Sequence, residues 1–97
     1  MMVIRVGLKI QPEHKQTFLD HVKETTAISR KFDGCQRFAV YKDVLEDNCY
    51  LLYEEWDSLE NFDAYRNSEH FKHSGEILFP LFDGEPDSSY FKATVVE

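Results

Sequence analysis

Cysteine, proline, glycine and basic residues are all scarce in this chain. Two cysteines, three prolines and four glycines stand among its 97 residues. Cys35 and Cys49 form no CxxC pair and no cluster with zinc-ligand spacing, which excludes a disulfide scaffold and a zinc knuckle. The prolines and glycines are spread as punctuation, so there is no linker, no repeat and no low-complexity tract. No apolar run approaches the roughly 18–20 residues of a membrane span. The opening Met1-Met2-Val3-Ile4-Arg5 lacks the basic region and apolar stretch of a secretory signal, so a cytoplasmic protein with reduced thiols is expected. Eleven Lys and Arg against 18 Asp and Glu leave a net charge of −7. Phosphate neutralisation needs a basic excess on one face, so nucleic acid is not expected as a partner.

What the chain does have is aromatic surface. Eight Phe, five Tyr and one Trp make 14% of the residues, within 42% hydrophobic overall. That content excludes a disordered chain. The length fits one domain over residues 1–97. A domain of this size buries only about 60–68% of the surface of its unfolded chain, so a partner subunit would add to a modest core.

Residues 2–11 alternate, with Met2, Ile4, Val6, Leu8 and Ile10 on one side, and read as a strand. Pro12 and Glu13 suit a helix start. Over 12–31 the period becomes helical, with Phe18, Val22, Thr25, Ser29 and Phe32 on one stripe, ended by Asp33-Gly34. Residues 35–44 and 49–56 read as a hairpin that sets Cys35 opposite Trp56 and Cys49 opposite Lys42 or Asp43, too far apart for a disulfide. Asp57-Ser58 and Ser68 are candidate caps for two further helical pieces, the second ending near Pro80. Residues 89–96 read as the last strand. The order β-α-β-β-α-β predicts a ferredoxin-like α+β fold, a four-stranded antiparallel sheet with its helices on one face.

Both sides of that sheet read as apolar. The third strand shows Cys49, Leu51 and Tyr53 on one side and Tyr50, Leu52 and Trp56 on the other. The second sets Phe38, Val40 and Val44 against Cys35, Ala39 and Tyr41. The last sets Phe91, Ala93 and Val95 against Tyr90 and Val96. Helices cover one face only, and an exposed apolar patch marks an interface. A homodimer packed sheet to sheet is therefore expected, with Tyr41, Tyr50 and Tyr90 on the shared face.

The chain resembles the antibiotic biosynthesis monooxygenase (ABM) family, a dimeric α+β barrel group. The resemblance rests on Lys9-Ile10-Gln11-Pro12, on Ser29-Arg30-Lys31-Phe32-Asp33-Gly34-Cys35 and on the strand Arg37 to Asp43. The most recognisable piece is Tyr53-Glu54-Glu55-Trp56-Asp57-Ser58, followed by Phe62, Tyr65 and Ser68-Glu69-His70-Phe71. The resemblance implies a monooxygenase that needs no flavin, metal or other cofactor and acts on a planar aromatic or quinol-like small molecule. The family also holds isomerases, so a proton-transfer enzyme on the same barrel stays open, as does a non-catalytic ligand-binding dimer. This chain has Thr25 where members often carry Asn, and Tyr65 where they often carry His. Gly7 and Gly75 stand where the haem-degrading branch has its Asn and His.

His70 matches the family's recurring His and is the candidate base or proton shuttle, with Tyr65 beside it as a catalytic partner that orients a phenolic oxygen. A solvent-exposed His at a helix start is the alternative. Thr25 and Ser29 interrupt an apolar stripe with small hydroxyls, which suits a pocket wall or a bond back to their own helix. Tyr53 and Trp56 are candidate substrate-binding aromatics, although core or dimer packing is the stronger reading for either one alone. His70 and His73 have the spacing of a metal pair, but no obvious third ligand, and no metal is expected. Glu54 and Glu55 are neighbours on a strand and cannot form a carboxylate dyad.

Overall fold

The computed structural model describes residues 1–97. The strands are β1 (Met2–Lys9), β2 (Cys35–Lys42), β3 (Cys49–Trp56) and β4 (Asp87–Lys92), and the helices are α1 (Lys15–Ser29), α2 (Leu59–Arg66) and α3 (Glu69–Leu78). The sheet order is β2-β3-β1-β4, antiparallel throughout, which is the ferredoxin-like arrangement. Single 3-10 turns at Pro12–His14 and Phe79–Leu81 precede α1 and follow α3.

Local chemistry explains the boundaries. Ser58 and Ser68 each accept a hydrogen bond from the backbone N–H three residues on, at Asn61 and Phe71, and so start α2 and α3. Gly34 follows α1 at φ +80°, where a Cβ would collide with Asp57 and Asn61. Cys35 lies opposite Trp56, as the hairpin spacing predicts, and a bulge follows between Cys35 and Arg37. Both cysteines are free.

Two expectations need correction. The last strand runs 87–92 rather than 89–96: its ladder with β1 spans from Gly7 opposite Asp87 to Met2 opposite Lys92, and Ala93 adds only a pair of hydrogen bonds with Met1. Tyr50 and Tyr90 are not on the open sheet face. Tyr50 is buried against Phe18 with ring centroids 4.8 Å apart, and Tyr90 lies edge-on to Phe62 at 5.6 Å. Both are on the helix side, in step with their partners Leu8 and Ile4.

The core has two ends. Met2, Ile4, Phe38, Trp56, Phe62 and Tyr65 form an aromatic-rich cluster. Leu8, Ile10, Phe18, Val22, Tyr50 and Leu81 form the other. Val6 and Leu52 touch both. Full burial of a side chain such as Phe18 contributes about 1.5–3 kcal/mol. The opposite face of the sheet carries no helix. It presents Val3, Leu51, Tyr53, Ala39, Tyr41 and Phe91 among Arg5, Arg37 and Glu55, and Tyr41 and Phe91 are about half exposed.

Candidate functional site

A cavity of about 240 Å³ opens between the helices and the sheet, where the two core clusters meet. Its walls are mostly apolar, from Val6, Val40, Leu52, Phe38 and Phe71 among others. Its polar lining comes from Thr25 and Thr26 of α1, Glu54 of β3, Tyr65 of α2, Ser74 of α3, and Ser88 and Tyr90 of β4. No Lys, Arg or His lines it. A larger groove of about 590 Å³ runs between α1 and the β2 side of the sheet, with Lys15, Lys23, Arg30 and Lys42 in its lining, but it is shallow and none of the candidate residues reaches it.

The helical stripe that carries Thr25 and Ser29 does face inward, and both are buried. Neither side chain bonds back to its own helix. Ser29 Oγ lies 2.9 Å from the Tyr65 hydroxyl and 3.0 Å from His70 Nε2. Thr25 Oγ1 lies 3.2 Å from the same His70 nitrogen and donates to Ser74 Oγ at 3.2 Å. Ser74 Oγ in turn lies 3.1 Å from His21 Nε2. The result is a continuous chain, Tyr65–Ser29–His70–Thr25–Ser74–His21, that ties α1, α2 and α3 together. With a proton on His70 Nε2, every link is satisfied: His70 donates to both hydroxyl oxygens, Ser29 donates to Tyr65, and Ser74 donates to His21. The Tyr65 O–H is then free to donate elsewhere.

The environment sets the charge states. Desolvation lowers the His70 pKa, opposed by hydrogen bonding to the Thr25 backbone, with a smaller lowering from His73. Desolvation lowers His21 as well, opposed by Glu24. Burial pushes the Tyr65 phenol well above its ordinary range, opposed by the Ser29 hydrogen bond. The chain is therefore neutral and proton-bearing at neutral pH, fit to relay a proton rather than to hold a charge.

Four of the six candidates meet here: His70, Tyr65, Thr25 and Ser29. His70 stands behind the cavity wall and reaches it only through the hydroxyls. Trp56 is fully buried and stacks on Tyr65 at 4.8 Å, packing beneath the cavity without lining it. Tyr53 is not brought to the cavity. Its position on β3, one residue out of phase with Leu52 and Glu54, puts it on the open sheet face, where its hydroxyl donates to Glu55 Oε2 at 2.6 Å. His73 joins no site, and no group of three or more His, Cys, Asp or Glu is placed to hold a metal.

Glu54 is the residue that the candidate set misses. It is only 4% exposed. Trp56 Nε1 donates to its Oε1 at 2.8 Å, and no hydrogen bond from the protein reaches Oε2. Desolvation pushes its carboxyl from 4.5 up to about 7, with the Trp56 bond pulling the other way. The signal is in the alternation Leu52-Glu54-Trp56, which sets a carboxylate in the row of side chains that faces the helices.

The family model for antibiotic biosynthesis monooxygenase matches residues 1–76. The chain is 24% identical over 72 residues to YcnE of Bacillus subtilis, which carries a provisional monooxygenase name, over 74% of this chain and 76% of that one. It is 27% identical over 70 residues to the uncharacterised protein sll1783 of Synechocystis, over 72% of this chain but 48% of that protein's length. Among solved structures it is similar to a Deinococcus radiodurans protein provisionally named an antibiotic biosynthesis monooxygenase, with a TM-score of 0.93 at 18% identity over 100% of this chain and 96% of that one. It is also similar to Rv0793 of Mycobacterium tuberculosis, with a TM-score of 0.88 at 17% identity over 99% and 96% of the two chains. The structural likeness speaks for the shared fold; the match of the family model over most of the sequence shows that the chain belongs to the antibiotic biosynthesis monooxygenase family.

Proposed function

We propose that this protein is a monooxygenase that holds a planar aromatic or quinol-like molecule in the 240 Å³ cavity and needs no resident cofactor for the reaction. The observation that carries this reading is the chain of hydroxyls and imidazoles backing an apolar wall. A phenolic substrate must lose a proton before it passes an electron to dioxygen. Tyr65 and Thr25 would orient its oxygen, and His70, behind Ser29 and Thr25, would move protons between cavity and surface. The phenolate gives one electron to dioxygen, and the resulting radical pair joins as a hydroperoxide. Loss of water leaves a new carbonyl, so one oxygen atom enters the substrate, the other leaves in water, and the substrate supplies all four electrons. Apolar walls keep bulk water from the intermediates. The name of YcnE, a relative of similar length, supports the same reaction type.

Oxygen uptake with hydroquinones and anthrone-like phenols tests this. Stoichiometric uptake, lowered on the order of a hundredfold by His70→Ala, is expected. No uptake with any member of the panel would contradict it. The neutral relay serves proton transfer equally well. Turnover that persists without oxygen would identify an isomerase-type enzyme instead.

The protein also acts, in this reading, as a homodimer through its open sheet face. Leu51 lies near the middle of that face, paired with Gly7 and Tyr41. The chain should run in size-exclusion chromatography at twice its 11.5 kDa, and Leu51→Lys should return it to a monomer.

A further inference from the structure

From the placement of Glu54 we infer that its free carboxylate oxygen is the group that receives the ligand, so the cavity selects a neutral, planar molecule carrying an O–H donor, and Glu54 accepts that proton. This deepens the reading above and rests on the cavity being the binding site.

Three observations converge. First, Glu54 lines the cavity and is almost completely withdrawn from bulk water. Its Oε1 is committed to Trp56 Nε1, which fixes the carboxyl plane and leaves Oε2 without a partner. Oε2 is not sealed off in the packing but stays accessible from the cavity, so a ligand donor can reach it and supply the missing partner. Second, no cation faces it. Its cross-strand neighbours are Ile4 on β1 and Phe38 on β2. The titratable groups whose pKa values respond to it are the Tyr65 phenol of α2 and the Cys35 thiol of β2, both pushed up, mainly by burial, and so neutral. An anionic ligand would meet a carboxylate with no compensating charge in the lining. Third, the cavity lies below the roughly 300–1,000 Å³ typical of drug-sized ligands and is mostly apolar, which fits one or two rings.

The proton balance is favourable. When Glu54 Oε2 takes the proton of a bound phenol, the O–H bond breaks, a carboxylic O–H forms, and the negative charge moves to the ligand. The number of buried charges is unchanged. A carboxyl raised to about 7 is also a better acceptor for a phenol than an ordinary one.

Three probes of one size test this: 1-naphthol, 1-methoxynaphthalene and 1-naphthoate, titrated calorimetrically into the whole protein at pH 8. Wild type should bind 1-naphthol about tenfold or more tightly than 1-methoxynaphthalene, since only the former donates to a charged acceptor. It should bind 1-naphthoate weakest. Glu54→Gln keeps an acceptor for Trp56 Nε1, and should reduce the naphthol preference to about twofold or less. The wild-type ranking needs no variant, so it stands even if Glu54→Gln folds poorly. Equal affinity for naphthol and its methyl ether, preferential binding of naphthoate, or no binding of any probe would overturn the inference. The outcomes separate it from the oxygenase reading. The expected ranking without oxygen uptake keeps Glu54 and removes the oxygenase. Hydroquinone-dependent oxygen uptake that Glu54→Gln leaves unchanged keeps the oxygenase and removes Glu54.

Discussion

Glu54 and Glu55 are consecutive and chemically identical, yet β3 sends them into different worlds. Glu55 points to the open face, where the Tyr53 hydroxyl donates to its Oε2 and Arg37 stands 3.6 Å from the same oxygen. Glu54 points into the cavity between aromatic and aliphatic clusters, with one indole N–H and no cation. A one-residue step on a strand reverses the face, so it changes the dielectric, the partners and the available chemistry together. The pair contrasts a carboxylate used as a surface partner with one held in reserve inside.

The largest effect that sharpens this contrast is on stability. The folded-state pKa of Glu54 is raised from 4.5 to about 7, so between those values the folded chain holds a proton that the unfolded chain has lost. The Glu54 contribution to stability therefore falls as pH rises from 4.5 to about 7, and its penalty is complete above that. It amounts to about 3 kcal/mol. Glu54→Gln does not titrate. Its stability relative to wild type should improve by about that amount between pH 4.5 and pH 8, read from urea unfolding at each pH. A pH-independent difference would break the contrast.

The relay comes next in size. Ser29→Ala removes the buried oxygen shared by Tyr65 and His70, and should cost about 1–2 kcal/mol by the same unfolding measurement. A cost near zero would mean that water replaces the hydroxyl and that the chain is not a built feature. The smallest effect belongs to Glu55. Measured in the monomeric Leu51→Lys background, where the face is open, Glu55→Gln loses a salt bridge whose Arg37 side chain is 58% exposed, and its unfolding midpoint should stay close to that of Leu51→Lys alone. A loss as large as the Glu54 effect would show that the two faces do not differ as described.

Much of this was legible in the residues. Alternation over 2–11 and 49–56 and the caps Ser58 and Ser68 place the elements and their order. The hydroxyls Thr25 and Ser29 stand out because they break an apolar stripe, and they do meet His70 and Tyr65. Other features depend on distances that no single segment encodes. The His21–Ser74 link needs the relative placement of α1 and α3, 53 residues apart in sequence. Tyr53 illustrates strand phase: its composition suits a pocket, but the register that puts Trp56 inside sends Tyr53 out. Glu54 shares that register with Trp56, and its importance lies in burial without a cation, which only the packed helices create.

The most direct measurement is a carbon-13 NMR titration of the Glu54 side-chain carboxyl in the intact protein, assigned by its loss in Glu54→Gln. A midpoint near 7 is expected, moving higher in Trp56→Phe, which removes the indole N–H that favours the ionised form. A midpoint in the ordinary carboxylate range would contradict the picture of an uncompensated acid inside the cavity.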